Sequence, residues 1–274
     1  MTNLLQFTRS PLFVIAGPCV IESPELCLTI AAHLKSVCSR LNLPYIFKAS
    51  FDKANRSSAS SFRGPGLTDG LAILSLVKNQ LGIPILTDIH ETAQVPQAAN
   101  VVDILQIPAF LARQTDLLLA AGQTGLIINV KKGQFMSPIE MANAVDKIRS
   151  TGNSNILLTE RGTFFGYNRL VNDFTSIPIM KSLGCPVVFD ATHSTQQPAG
   201  LGQTSGGNPQ YVPLLARAAI AAGADALFLE THPNPKEAKS DAASMIPLET
   251  IEPLLTQCLQ LATLRRQWPP LLNP

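Results

Sequence analysis

The sequence is poor in charged residues. Asp, Glu, Lys and Arg make up only 15% of its 274 residues, against about 25% in typical soluble domains. The 21 basic and 19 acidic side chains leave a net charge of +2. Because no basic run is present, nothing in the charge distribution favours nucleic acid as a partner. The low charge predicts surface hidden in subunit contacts, and we expect a homo-oligomer.

Long apolar runs and paired cysteines are also missing. No apolar stretch approaches the roughly 18 residues of a membrane span, and the N-terminal segment MTNLLQFTRS has no basic leader. We therefore expect a cytoplasmic protein with no membrane partner. The five cysteines are an odd number in a chain too large to need disulfides. They are interpreted as thiols, any of which could bind a metal.

A short run rich in Val, Ile and Leu recurs eight times, each time followed by a polar loop and a helical segment. The runs are 12–16, 45–48, 83–88, 103–107, 126–131, 156–160, 186–190 and 226–230. The predicted helices are 24–40, 68–81, 91–100, 114–122, 138–150, 173–183, 210–222 and 248–264. Uninterrupted apolar runs suit strands buried on both faces of a parallel sheet. Eight such units predict an α/β fold, a single-domain (β/α)8 TIM barrel over residues 1–274. A doubly wound open sheet is the alternative, but no G-x-G-x-x-G motif follows a strand.

Capping residues support these helix boundaries. Ser23 precedes Pro24 at a predicted helix start, and Ser137 is followed by Glu140 in the pattern of a capping box. Glycines stand where four helices should end: Gly82, Gly152, Gly184 and Gly223.

Every predicted strand brings a polar residue to its carboxyl end or to the loop that follows, and a barrel builds its active site at those ends. Five of these residues are cations: Lys48, Lys53, Arg56, Lys131 and Arg161. Each alone is better explained as a solvated loop charge. Their convergence on one cavity would be costly without an anion, so the set predicts a polyanionic ligand. Asp88 is open to two interpretations, a site carboxylate or the N-cap of the next helix.

A mixed set of donors also follows strands that a closed barrel makes neighbours. Cys19 follows the first strand, His193 the seventh and Glu230 the eighth, and Asp241 lies in the next loop. A thiolate, an imidazole and two carboxylates suit a divalent ion such as zinc or iron. The alternatives are a buried inert Cys19, and His232 in place of His193.

The remaining histidines and cysteines are assigned structural roles, and one loop has two interpretations of equal weight. His33 and His90 are predicted to be structural or solvated, and Cys27, Cys38, Cys185 and Cys258 to pack in the core. The Gly-rich loop 194–208 is either a lid over the site or a plain connection.

Eight segments resemble one enzyme family nearly end to end: AGPCVIES (16–23), FKASFDKANRSS (47–58), ILTDIHE (85–91), DILQIPAFLARQTDLL (103–118), NVKKGQFMSP (129–138), LTERGTFFGYNRLVNDF (158–174), FDATHSTQQP (189–198) and FLETHPNP (228–235). The family is 3-deoxy-D-manno-octulosonate 8-phosphate synthase, and KANRSS and DATHS are specific to it. The resemblance implies a transferase that condenses phosphoenolpyruvate with arabinose 5-phosphate and water, releasing phosphate, in lipopolysaccharide precursor synthesis. It also implies a homotetramer.

The resemblance assigns roles residue by residue. It implies that phosphoenolpyruvate is held by Lys48, Lys53, Gln106, Lys131 and Arg161. The phosphate of the pentose is assigned to Asn55, Arg56 and Ser57, with Arg113 reaching in from a neighbouring subunit. Phe110 is expected to shape the pocket, and Asp88 to bind substrate. The catalytic groups are expected to be Lys53, His193 and Asp241.

At Cys19 the chain resembles the metal-dependent branch of that family, because the other branch has Asn at this position. The implied ligands are Cys19, His193, Glu230 and Asp241, holding a divalent zinc, iron or manganese ion. The chain departs from the family pattern after Asp241, where Ala242 and Ala243 stand in place of an expected glycine.

Three rival functions stay open. A sister synthase would condense phosphoenolpyruvate with erythrose 4-phosphate or a mannosamine derivative on the same barrel. A Schiff-base aldolase would use Lys131 or Lys48, since lysines at strand ends form imines in other barrels. A barrel kept only for ligand binding would bind both substrates and release no phosphate.

Overall fold

The computed structural model describes residues 4–56, 58, 60–198, 200 and 206–269. Eight parallel strands form its central sheet: β1 (Phe13–Gly17), β2 (Tyr45–Lys48), β3 (Ile85–Asp88), β4 (Ile104–Ile107), β5 (Ile127–Lys131), β6 (Ile156–Glu160), β7 (Val187–Asp190) and β8 (Ala226–His232). They pair in chain order, and β1 also pairs with β8 through the register Gly17 to Glu230. The sheet is therefore a closed barrel, and the predicted (β/α)8 fold is confirmed.

Nine α-helices are described, most of them on the outside of the barrel: α1 (Leu4–Thr8), α2 (Pro24–Arg40), α3 (Leu67–Leu81), α4 (Val95–Ala99), α5 (Thr115–Gln123), α6 (Met141–Arg149), α7 (Ser176–Lys181), α8 (Val212–Ala222) and α9 (Ile251–Arg265). Four of the predicted helices open with one 3-10 turn, at Thr92–Gln94, Pro138–Glu140, Pro209–Tyr211 and Leu248–Thr250. Among the helices that the structure describes, none is both long and apolar enough to cross a membrane.

The predicted helix caps are confirmed at both kinds of terminus. Ser23 Oγ accepts a hydrogen bond from the backbone N–H of Leu26 at 3.2 Å, and Ser137 and Glu140 form the expected capping box. Gly82 ends α3 in the left-handed region with φ of 60°, where a side chain would be strained. These local signals explain why strand and helix boundaries follow the sequence pattern to within a few residues.

Further short strands are described beside the eight-stranded cylinder. Ile246–Pro247 pairs in parallel with Thr231 and His232 at the end of β8. Thr163–Phe164 pairs with Leu170–Val171 in the loop after β6. Gln196–Gln197 pairs with Gly206–Gly207 in the loop after β7. Residues 199 and 201–205 of the loop 194–208 lie outside the described residues, so both interpretations of that loop, a lid and a plain connection, stay open.

Helix α1, which the sequence pattern did not predict, packs under the barrel. Phe7 is 2% exposed, and its ring centroid lies 5.7 Å from that of Phe13. Both belong to the apolar cluster inside the barrel, together with Ile15, Ile46, Leu86, Ile104, Ile127, Leu157, Val188, Ala226 and Phe228. The amino-terminal end of the barrel is thus filled by side chains, and polar groups gather at the other end.

Truncating the buried side chain of Phe7 should destabilise the fold. Phe7→Ala is expected to lower the free energy of unfolding by about 3–5 kcal/mol, because it leaves a cavity under the barrel. The control is Leu5→Ala on the same helix, where the side chain is 59% exposed, with a change within about 0.5 kcal/mol. Urea denaturation measures both, and equal losses would contradict the role given to Phe7.

Candidate active site

A cavity of about 590 Å³ opens at the carboxyl ends of the strands. Six cationic side chains line it: Lys48, Lys53, Arg56, Lys131, Arg161 and Lys239. Among the described residues, the carboxylates that line it are two, Asp88 and Asp241. The lining also includes Asn55, Gln106, Phe110 and His193. This excess of positive charge in a concave site favours an anionic ligand, since arginine and lysine pair with carboxylates and phosphates.

A buried ion pair forms the floor of the cavity. Lys48 Nζ donates to Glu230 Oε1 at 2.8 Å and to the carbonyl of Cys19 at 2.9 Å. The two side chains are 1% and 0% exposed. This close approach of β1 and β2 requires Gly17, because a Cβ there would collide with the carbonyl of Lys48. The ion pair therefore ties three strands together directly beneath the cavity.

A chain of hydrogen bonds crosses the barrel beside that pair. Thr159 Oγ1 donates to Asn129 Oδ1 at 2.7 Å, and Asn129 Nδ2 donates to Gln106 Oε1 at 2.7 Å. Gln106 Nε2 then donates to Asp88 Oδ1 at 2.5 Å. One N–H of Gln106 is left for a ligand. Asn129 and Thr159 were not predicted as site residues, because they lie within strands and only the closed barrel shows that they orient Gln106.

Asp88 is a site carboxylate and not a helix cap. Its Oδ2 accepts the hydroxyl of Ser50, while the following 3-10 turn is capped by Glu91 and Gln94. The alternative that Asp88 caps the next helix is therefore wrong. Although burial favours its neutral form, Lys48 and Lys53 hold the pKa of Asp88 well below its ordinary value. Asp88 is thus a permanent anion among the cations.

Asp190, at the end of β7, accepts from two site residues. Its Oδ2 lies 2.6 Å from Lys131 Nζ and 2.7 Å from His193 Nδ1. Lys131 Nζ also lies 3.7 Å from the ring centroid of Phe228, inside the barrel, a cation–π contact. Burial lowers the pKa of Lys131, although Asp190 opposes this shift. A bound anion would stabilise the charged form of Lys131.

Arg161 reaches the cavity from the loop after β6. Glu160 Oε1 accepts the backbone N–H groups of Arg161 and Gly162 at 3.0 and 2.7 Å, which fixes the turn. Burial lowers the pKa of the Arg161 guanidinium, against the attraction of Asp190 and Asp241. Arg161 therefore faces the cavity as a second buried cation that a ligand anion would neutralise.

Three of the four predicted metal ligands form one cluster. The ligand atoms of Cys19, Glu230 and Asp241 lie within 4.8 Å of one another. Cys19 Sγ donates to Asp241 Oδ2 at 2.8 Å. Burial, followed by the charges of Asp241 and Glu230, raises the pKa of the Cys19 thiol well above its ordinary value. Asp241 holds a left-handed φ of 50°, which Asp tolerates better than most residues.

The fourth predicted ligand, His193, lies beside this cluster. Its Nε2 is 3.5 Å from Glu230 Oε2, an oxygen that is buried and has no hydrogen-bond partner. His232 is less suitable, because its Nδ1 accepts the backbone N–H of Asn234 at 3.0 Å. Soft and hard donors around an unsatisfied carboxylate oxygen fit a divalent ion of the zinc or iron type.

Some predicted residues lie elsewhere. Arg113 lines a separate surface cavity with Lys147 and is not part of this chain's own site. Ser57 lies outside the described residues. Conversely, His90, predicted to be structural or solvated on a helical face, lines the main cavity. It precedes the 3-10 turn instead of lying within a helix, and its ring packs edge-on against Phe51 at 6.1 Å. Its position two residues after Asp88 in ILTDIHE was the available signal.

Comparisons with known proteins bear on this geometry. Residues 7–266 match the model of the DAHP synthetase I family. The chain belongs to that family. A protein of Cyanothece sp. named 2-dehydro-3-deoxyphosphooctonate aldolase is 58% identical over 253 residues, covering 92% of this chain and 93% of the relative. A protein of the same name from Protochlamydia amoebophila is 54% identical and covers 92% of each chain.

A third relative of that name, from Xanthomonas axonopodis pv. citri, is 53% identical over 257 residues, covering 94% of this chain and 93% of the relative. The sequence motifs resemble the 3-deoxy-D-manno-octulosonate 8-phosphate synthase family. The name of the relatives, 2-dehydro-3-deoxyphosphooctonate aldolase, refers to the same eight-carbon sugar acid phosphate. The resemblance is therefore confirmed, and this DAHP synthetase I family member is an enzyme with a barrel site rich in cations.

The hydrogen-bond chain through Asn129 generates a stability prediction. Asn129→Leu should lower the free energy of unfolding by about 1–3 kcal/mol, because it strands the buried amide oxygen of Gln106 and the hydroxyl of Thr159. Thr159→Val is the matched variant and should cost less, since it removes only the outermost bond. Denaturant unfolding measures both, and the reverse order would contradict the arrangement.

Proposed function

We propose that the chain condenses phosphoenolpyruvate with arabinose 5-phosphate and water to give 3-deoxy-D-manno-octulosonate 8-phosphate and inorganic phosphate. The carrying observation is the cavity lined by six cations and two carboxylates at the carboxyl ends of the strands. Two phosphorylated substrates, one of them also a carboxylate, match that charge. The shared name of the relatives supports this reaction over the sister synthases.

Phosphoenolpyruvate is assigned to the deeper part of the cavity. Lys131 and Arg161 are buried cations whose charge an anion would stabilise. Lys48, Lys53 and the free N–H of Gln106 lie along the same lining. Two anionic groups of one small molecule can thus be held apart by separate cations, which orients the enol carbon toward the second substrate.

The pentose phosphate is assigned to the outer part. Asn55, Arg56 and Phe110 line the cavity, and Ser57 is assigned to the same phosphate. Phe110 is 55% exposed and Arg113 lies outside this chain's own cavity. Both observations support a neighbouring subunit that completes the site. The proposal includes a homotetramer and a cytoplasmic location, because charged phosphorylated substrates do not cross a bilayer unaided.

A divalent zinc, iron or manganese ion is assigned to Cys19, His193, Glu230 and Asp241. The support is the clustered ligand atoms and the unpartnered Oε2 of Glu230. When bound, the ion would supply positive charge that orients and polarises oxygen atoms of water or substrate.

The residues of the chain support a stepwise carbon–carbon bond formation. Enol carbon C3 of phosphoenolpyruvate attacks the aldehyde carbon of the pentose, and water adds at C2. Although burial disfavours its charge, the acidic groups around Lys53 raise its pKa, so its ammonium can stabilise the developing alkoxide. His193 and Asp241, which both line the cavity, are assigned to hold or move the protons of the water. Phosphate then leaves from C2 toward Lys131 and Arg161.

A Schiff-base mechanism is the alternative that one observation favours. Burial lowers the pKa of Lys131, which is also what an imine-forming lysine needs. The ion pair with Asp190 at 2.6 Å opposes this role, because it holds Lys131 as an ammonium. Borohydride with both substrates should leave the protein unmodified, whereas a reduced adduct on Lys131 or Lys48 would support the alternative.

The reaction itself is tested with phosphoenolpyruvate labelled with heavy oxygen at the bridge between carbon and phosphorus. When arabinose 5-phosphate is the second substrate, the labelled phosphoenolpyruvate should release labelled inorganic phosphate, because water attacks carbon and the C–O bond breaks. Erythrose 4-phosphate and a mannosamine derivative serve as competing aldehydes. Label retained in the sugar product would overturn the mechanism, and no phosphate release with any aldehyde would overturn the function.

Two single variants should separate the substrate sites. Arg56→Ala is expected to weaken the pentose phosphate far more than phosphoenolpyruvate, by about 1.5–3 kcal/mol in apparent affinity, because a charge-assisted contact is lost. Lys131→Ala should do the reverse. Steady-state kinetics with each substrate varied in turn measures both, and Lys35→Ala on the outer face of α2 is the control. Equal losses for both substrates would contradict the assignment.

Cys19 provides the test of the metal. Cys19→Ala should lose bound metal and most activity, because one of four protein ligands is gone. Cys19→Asn should be slower than wild type yet keep activity in excess chelator, while wild type loses nearly all. Metal content by atomic absorption is the second readout, and Cys27→Ala, another buried thiol, is the control. Full wild-type activity after exhaustive chelation, with no metal in the protein, would remove the proposed site.

A further inference from the structure

Asp190 is shared between the two halves of the proposed site. It is fully buried and accepts three hydrogen bonds: the backbone N–H of His193 at 2.9 Å on Oδ1, and His193 Nδ1 and Lys131 Nζ on Oδ2 at 2.7 and 2.6 Å. One of these side chains is assigned to the metal and the other to phosphoenolpyruvate. Asp190 itself is not among the residues that line the cavity.

The contacts to His193 determine which ring nitrogen is available. A hydrogen bond from Nδ1 to a carboxylate keeps the proton on Nδ1 and directs Nε2 away from it. Nε2 then lies 3.5 Å from Glu230 Oε2, the unpartnered oxygen of the metal cluster. The backbone N–H bond to Oδ1 holds the turn that carries His193. Asp190 thus presents the imidazole to the metal cluster.

The contact to Lys131 determines where its ammonium lies. Two groups hold Nζ, Asp190 Oδ2 on one side and the ring of Phe228 on the other. Without the carboxylate, the cation–π contact alone would not hold a single position, because it is weaker and broader in direction than a charged hydrogen bond. The ammonium at the proposed phosphate subsite is therefore oriented by the same oxygen that orients His193.

We propose that Asp190 is a positioning residue for both ligands, so that the affinity for the divalent metal and the affinity for phosphoenolpyruvate depend on one carboxylate. The inference rests on the proposed function, since it takes these two ligands from it. An amide cannot replace the carboxylate, because it has only one acceptor oxygen and no negative charge. Its NH2 group would face either the backbone N–H of His193 or both Lys131 Nζ and His193 Nδ1. In either orientation the ammonium of Lys131 loses the anion with which it pairs.

The test uses the full-length protein and Asp190→Asn, with Mn²⁺ and phosphoenolpyruvate each titrated by calorimetry. Affinity for Mn²⁺ should fall by about 10–100-fold, the range typical for loss of a carboxylate that orients a ligating histidine. Affinity for phosphoenolpyruvate should fall by at least about tenfold. The KM for arabinose 5-phosphate should stay within about twofold, because Asp190 has no contact with Asn55 or Arg56. A purely structural role would weaken all three alike or none.

Asp225→Asn is the matched control. Asp225 also accepts from a lysine and a backbone N–H, Lys181 Nζ at 2.7 Å and Val187 N at 2.8 Å, but it precedes β8 at the opposite end of the barrel. Its variant should change neither affinity. If wild type binds neither Mn²⁺ nor phosphoenolpyruvate, the proposed function fails. If wild type binds both ligands, and folded Asp190→Asn binds Mn²⁺ or phosphoenolpyruvate as tightly as wild type does, only the role of Asp190 is overturned.

A second variant keeps the test open if Asp190→Asn does not fold. It combines Asp190→Asn with Lys131→Met. Lys131→Met removes the ammonium that would lose its carboxylate partner, so this double variant avoids a buried unpaired cation. Lys131→Met alone should lose phosphoenolpyruvate and keep its Mn²⁺ affinity within about twofold. Adding Asp190→Asn should then cost about 10–100-fold in Mn²⁺ affinity with no further loss of phosphoenolpyruvate. An unchanged Mn²⁺ affinity in the double variant would overturn the inference.

Discussion

The buried ion pair between Lys48 and Glu230 is the contact on which the rest of the site depends. It joins β2 to β8 at 2.8 Å, and the same ammonium binds the carbonyl of Cys19 after β1. Loss of one partner would leave an uncompensated buried charge, which costs about 3–5 kcal/mol. Because Lys48 occupies only Oε1, the other oxygen of Glu230 is left for a ligand. One contact thus links side chains across the closure of the barrel and directs the carboxylate.

Around that pair, the buried carboxylates of Asp88, Asp190 and Glu230 each lie near a lysine, and further cations line the cavity. Asp88, Asp190 and Glu230 are held ionised by neighbouring lysines and His193. Burial lowers the pKa of Lys131 and Arg161 instead. The protein therefore stabilises its anions internally and leaves its cations to be stabilised by a ligand. An anionic substrate completes the electrostatics of the fold.

Sequence reasoning was most accurate where the determining signal is local. Helix α2 begins and ends at the predicted residues 24 and 40, because Ser23 and Pro24 define its start within a few residues. It missed α1, a five-residue helix too short to show a period. It also missed the place of His90 in the cavity lining, where the ring packs against Phe51 from another loop. The choice between Asp88 as a site carboxylate and Asp88 as a helix cap likewise depended on its contact with Gln106, which lies on the neighbouring strand.

The sequence by itself determined the order of the strands and helices, the barrel class and the polar residues that end each strand, since periodicity, capping and strand ends are properties of short segments. Only the tertiary structure decided which of those residues meet. Cys19 and Asp241 are 222 positions apart, and Lys48 and Glu230 are 182 apart, so their contacts exist only because β8 closes onto β1. Asp190 could be recognised as a strand-end carboxylate, but its sharing between Lys131 and His193 follows from the side-chain packing inside the closed barrel.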